Sequence, residues 1–177
     1  FRPRSRESKL SLLDDHLPIA TATWSTDGIR YREEAFATLL CDALAPEDPA
    51  RNEQTPAVLM LKLTAENPGS QPGIAQIWLA TDPDEEVVFE NGELMAGGGS
   101  LVRARLALPE GARLRLAPVV EGAKSLHGVH IQLALTPREL KAVFIYIPFI
   151  PRLSAAERSR LGELKYEAER ARVEAYW

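Results

Sequence analysis

A chain of 177 residues, 45% hydrophobic and 26% charged, can bury roughly two-thirds of its unfolded surface in one core, so a single domain with an appendage is expected. The net charge of -4, with Lys and Arg interspersed among Asp and Glu, lacks the basic footprint that a phosphate backbone needs and argues against nucleic acid as a partner. A single cysteine, Cys41, excludes an intrachain disulfide; inside the apolar run 35–44 it reads as a small core residue.

In chain order, the sequence starts at Phe1 without an initiator Met, and Arg2, Arg4 and Arg6 lead into no long apolar stretch, so any signal sequence is expected to have been removed or never to have belonged to this fragment, and the compartment stays open. Leu17 to Trp24 alternates β-branched residues (Ile19, Thr21, Thr23) and runs into Asp27-Gly28, a pair suited to the positive φ of a tight turn. The spacing predicts a hairpin returning over Ile29 to Arg32, with Ile29 and Tyr31 on one face and Arg30 and Arg32 on the other. The run 35–44 fits a buried strand or a short helix, with strand preferred, and the Pro- and Asp-rich stretch 45–55 reads as a loop. Ala57 to Glu66 alternates with both faces partly apolar, which suits a central strand of a sandwich. Ile74 to Thr81 is the next strand.

Val87 to Glu90 and Glu93 to Ala96 flank Asn91-Gly92, the strongest hairpin signal of the chain. Gly97-Gly98-Gly99 breaks the ladder, and 101–108 is expected to alternate Leu101, Arg103 and Arg105 against Val102, Ala104 and Leu106. Strands 113–120, 128–135 and 140–147 follow. Short strands at this spacing predict a mainly β fold, a large antiparallel sandwich over 1–151. Residues 152–177 read as a linker: one charged helix capped by Ser154 with Glu157 in a capping box, carrying an apolar stripe of Leu161, Leu164, Ala168, Ala171 and Ala175. Glu167 with Arg170 and Glu169 with Arg172 stand at ion-pair spacing. The apolar stretch 142–150 is too short to cross a bilayer and contains Pro148, so no membrane partner is expected.

Chemistry-bearing motifs are sparse. His127 and His130 fall on opposite faces of a strand, His16 sits in a charged stretch beside Asp14 and Asp15, and the acidic loop Asp82, Asp84, Glu85, Glu86 has no EF-hand spacing, so no metal site is expected. The Gly97–Ser100 run lacks the lysine and helix of a phosphate loop. Asp27, Glu33, Glu90 and Glu93 are carboxylates that nothing distinguishes as a glycosidase pair, so neither catalytic residues nor cofactors are assigned. Trp24, Tyr31 and Trp78 are the residues whose rings could stack on sugars, with a place in the core as the competing role.

The order LPIATATWSTDGIRYREEAFATLL, AVLMLKLTAENPGSQPGIAQIWLAT, LALTPRELKAVFIYIPFIPRLSAAERSRL and YEAERARVEAYW resembles the N-terminal β-supersandwich and linker of bacterial multidomain proteins related to six-hairpin glycosidases. The resemblance implies a noncatalytic domain that braces a downstream α/α toroid of the same polypeptide and reaches toward its cleft through 97–100 or 46–56. The family's acid and base lie in the toroid, so no catalytic residue carries over to this chain. A free-standing carbohydrate-binding module and a structural sandwich without a sugar role are the alternatives.

Overall fold

The computed structural model describes residues 9–14, 17–41, 55–81, 85–121 and 124–177. Eleven strands and two helices follow in order: β1 (Lys9–Leu13), β2 (Leu17–Thr26), β3 (Ile29–Leu39), β4 (Ala57–Glu66), β5 (Gly73–Ala80), β6 (Val87–Glu90), β7 (Glu93–Ala96), β8 (Leu101–Ala107), β9 (Arg113–Glu121), β10 (Lys124–Leu135), β11 (Leu140–Pro148), α1 (Ala155–Glu163) and α2 (Tyr166–Tyr176). They form an eight-stranded antiparallel sheet ordered β1-β2-β3-β4-β11-β8-β7-β6 and a three-stranded sheet ordered β5-β10-β9. The mainly β, sandwich-like architecture expected from the sequence is the one observed.

Both tight turns take the backbone their residues favour: Asp27 and Gly28 at φ 51 and 75, Asn91 and Gly92 at φ 52 and 81. Such paired positive φ values match the twist of the flanking strands, which is why Gly occupies the second position. Ile29 to Leu39 is one continuous strand, and its burial changes phase along its length: Ile29 and Tyr31 are buried, then Glu34, Phe36 and Thr38. The phase change has a simple cause. At one end the large sheet is covered on one face by the small sheet; at the other end it is covered on the opposite face by the helices.

Two cores result. Ile29, Tyr31, Leu63, Val143 and Ile145 of the large sheet pack with Ile77, Val129, Ile131 and Leu133 of the small one. On the reverse face Ile19, Phe36, Met60 and Tyr146 pack with Leu161, Leu164, Tyr166 and Val173 of the helical segment. β8 serves both cores through a bulge: Leu94 pairs with Ala104 and Met95 with Val102, so Arg103 has no counterpart in the ladder. The expected strict alternation of 101–108 therefore fails at Arg103, sending Val102 to the helical core and Ala104 and Leu106 to the sandwich core.

The C-terminal segment differs from the expected single helix. Ser154 caps α1 with the capping box in place, but Leu164 and Lys165 leave helical geometry and divide the segment in two. The break lets Leu164 and Tyr166 both reach the core, at 3% exposure each, which two residues so spaced on one straight helix would not do. It also rotates the second half, so Val173 is buried while Ala168, Ala171 and Ala175 of the expected stripe face outward. Glu169 and Arg172 form the expected pair at 2.7 Å, whereas Glu167 reaches Lys62 and Arg170 reaches Glu34. Cys41 is a second correction: β3 ends at Leu39, Leu40 is the last buried residue, and Cys41 lies exposed beyond it.

Candidate functional site

The outer face of the small sheet carries the most unusual group of side chains. On β10, Val129, Ile131 and Leu133 point into the sandwich core, so His130 and Gln132 occupy the opposite face. The pairing places Trp78, His130 and Arg115 side by side in one cross-strand row, and Gln76, Gln132 and Arg113 in the next. The row beyond holds Ala80, Gly128 and Ala117, which give the face a low floor beside the indole.

The first row is tightly organised. Trp78 and His130 stack with centroids 3.9 Å apart and planes 7° from parallel, and the Arg115 Nε–H donates to His130 Nδ1 at 3.0 Å. Because arginine offers only donors, Nδ1 must hold its lone pair and the proton of the neutral ring sits on Nε2. That Nε2 is buried without a hydrogen-bond partner among the described residues, a state costing about 1–3 kcal/mol for a polar group. Burial first, and then the Arg115 charge, hold the imidazole below the ordinary histidine range, so it is neutral near pH 7. His130 is only 1% exposed although it lies on an outer face, because the indole covers it; Trp78 itself stays half-buried.

The other two aromatic candidates lie elsewhere. Trp24 and Tyr31 sit opposite each other in the β2–β3 hairpin, stacked at 5.4 Å and 8°. Tyr31 is 3% exposed and its hydroxyl accepts from the Gln76 N–H at 3.0 Å, tying the two sheets together; Trp24 packs against the same core. The three rings therefore do not form one platform. His127 has the opposite parity to His130 on an uninterrupted strand, while His16, Asp82, Asp84 and residues 42–54 lie outside the described residues. Among the described residues no group of three or more His, Cys, Asp or Glu side chains could hold a metal ion.

The carboxylates separate by environment. Asp27 is the turn residue, and Glu90 is exposed beside the second turn. Burial pushes the half-buried Glu33 carboxyl up. Glu93, at 3% exposure, is held by Arg158 at 2.6 Å and by Arg105 at 3.3 Å. Glu34 and Glu169 are likewise buried, Glu34 between the Tyr166 hydroxyl and Arg170, Glu169 between Thr38 and Arg172. These three buried glutamates lie between the large sheet and the helices; the Glu169–Arg172 pair was legible from its local spacing, whereas the burial of all three and the partners Arg158, Tyr166, Arg170 and Thr38 were not, because those partners are far away in the chain.

A half-open cleft of about 650 Å³ lies beside the glycine turn, lined by Glu85, Glu86, Val88, Met95, Gly97–Gly99 and Arg103. The bulged Arg103 is bound there by the Glu85 carboxylate through both Nε and Nη2.

The sandwich side of the large sheet is apolar beyond the reach of the small sheet. Leu59 and Phe149 are 41% and 77% exposed there, with Ala37, Leu39 and Ile147 between them, and Leu12 at 47% continues the strip onto β1. Searches of protein-family models and of curated proteins returned no match to this chain.

Proposed function

We propose that this chain is a noncatalytic accessory domain that packs against a second folded body, an α/α toroid of the six-hairpin type carried by the same polypeptide. The observation that supports it is the apolar strip in which Leu12, Ala37, Leu59 and Phe149 are exposed, flanked by the half-buried Leu39 and Ile147. Contiguous apolar surface of this kind marks interaction sites in folded proteins. The resemblance of the sequence to supersandwich and linker segments names the occupant. The reading frame beyond Trp177 tests this: several hundred residues of paired amphipathic helices are expected, with Leu59 and Phe149 losing hydroxyl-radical reactivity when both parts are present. A stop codon, or unchanged reactivity, overturns it.

A second reading, a carbohydrate-binding sandwich, is favoured by one observation, the outward indole of Trp78 among arginine and glutamine side chains. Saccharide binding by the chain alone supports it. A sandwich with neither a partner domain nor a sugar ligand is the outcome left if both tests fail.

A further inference from the structure

Arginines elsewhere on the two sheets and helices are largely neutralised in place: Arg30, Arg32, Arg103, Arg105, Arg158, Arg160, Arg170 and Arg172 each pair with a carboxylate. Arg113 and Arg115 are different. Both are exposed on the outer face of the small sheet, in adjacent rows, and neither has a carboxylate partner among the described residues. The three rows Gln76–Gln132–Arg113, Trp78–His130–Arg115 and Ala80–Gly128–Ala117 hold no acidic residue, so this part of the face is cationic on a chain of net charge -4.

Arg115 is also held in place. Its Nε–H is occupied by His130 Nδ1, which leaves the two terminal nitrogens, one of the pairs through which a guanidinium grips a carboxylate, to meet a ligand. An imidazole is a costly way to fill the space under an indole, since its Nε2–H is buried without a partner among the described residues. A leucine would fill that space without an orphaned donor. What the imidazole adds is the bond that orients Arg115. Above it, the indole turns one face to His130 and makes no ring contact with another described residue.

We propose that this face binds an acidic carbohydrate: a sugar ring stacks on Trp78, its carboxylate is taken by Arg115 with Arg113 beside it, and its hydroxyls are met by Gln76 and Gln132. Aromatic faces pack well against the apolar side of a pyranose, and guanidinium forks match carboxylates in shape and charge. Adjacent rows lie about 7 Å apart and the outer strands about 10 Å apart, so the face spans one to two sugar rings. His130 is a positioning residue. The inference rests on the carbohydrate-binding reading and is independent of the apolar strip, which lies on the other sheet.

The test titrates the full chain with oligogalacturonate and, in parallel, with neutral galacto-oligosaccharides, following indole fluorescence and calorimetric heat. Saturable binding of the acidic oligomer alone is expected, weakened about tenfold or more in Arg115→Ala. In His130→Leu it should weaken several-fold while the melting temperature is kept or raised. Arg152→Ala, an exposed cation elsewhere, is expected to bind like the parent chain. Trp78→Phe should abolish the quenching; quenching that survives it arises at Trp24 or Trp177 and overturns the assignment. Equal binding of neutral and acidic oligomers overturns the charge selectivity but keeps the carbohydrate reading. No saccharide binding at millimolar concentration overturns both, and capture of single-stranded RNA in their place overturns the ligand class.

Discussion

His130 concentrates the residue-scale chemistry of this protein. Its neutral form is fixed by burial and by Arg115, so the native ring resists protonation more than the unfolded chain does. As pH falls below about 6.5, the unfolded state takes up the proton first. The stability associated with the neutral ring is therefore fully present above that value and is lost as pH falls toward the lowered native pKa. Urea unfolding at pH 7.5 and pH 5 should show a loss of stability on acidification that is smaller in His130→Leu; an equal loss in both proteins would place the titration elsewhere. In sequence, His130 looked like half of an abandoned histidine pair. Its importance depends on Trp78 and Arg115, which lie on two other strands and meet it only through sheet pairing.

At the scale of elements, the helices are held by apolar contact and positioned by buried carboxylates. Glu34 accepts from the Tyr166 hydroxyl at 3.0 Å and from Arg170 Nε at 2.7 Å, and burial together with the Glu34 charge pushes the Tyr166 phenol well above its usual range. Removing the carboxylate leaves the part-buried Arg170 with Glu174 alone and the buried Tyr166 hydroxyl with only the Glu34 backbone carbonyl at 3.3 Å. Glu34→Ala should therefore cost about 3 kcal/mol in chemical denaturation, and Glu34→Gln less, because an amide oxygen still accepts. A cost below about 1 kcal/mol for Glu34→Ala would mean the apolar contacts alone position α2. The start of α1 was legible because its capping box is local, with Ser154 and Glu157 satisfying each other's backbone donors. The break at Leu164 and Lys165 was not, because no proline marks it and the nearby Gly162 stays inside α1 without the positive φ of a helix-ending glycine. It is imposed by the sheet, which takes Leu164 and Tyr166 together.

Across the whole molecule, the large sheet is shared by two cores on opposite faces, and β4, β8 and β11 contribute side chains to both. Loosening either core strips support from the same central strands. Leu161→Ala in the helical core and Ile131→Ala in the sandwich core should each cost about 2–5 kcal/mol and move one common transition, with near- and far-ultraviolet circular dichroism midpoints coinciding. Separate midpoints would show that the helices unfold independently of the sandwich. The apolar strip around Leu59 and Phe149 belongs to this scale too: it exists because the three-stranded sheet covers only part of the eight-stranded one.

The sequence by itself determined the strand content, the two Asx-Gly hairpins, the capped start of the C-terminal segment and the central position of 57–66, because each follows from local φ preference, two-residue periodicity or a hydrogen bond between near neighbours. Only the tertiary structure decided which face of β3 is buried where, how the bulge at Arg103 divides β8 between two cores, and how Trp78, His130 and Arg115 come into one row. Those features arise from contacts between strands distant in the chain. Alternation along a strand specifies that two faces exist but carries no information about what will cover each of them.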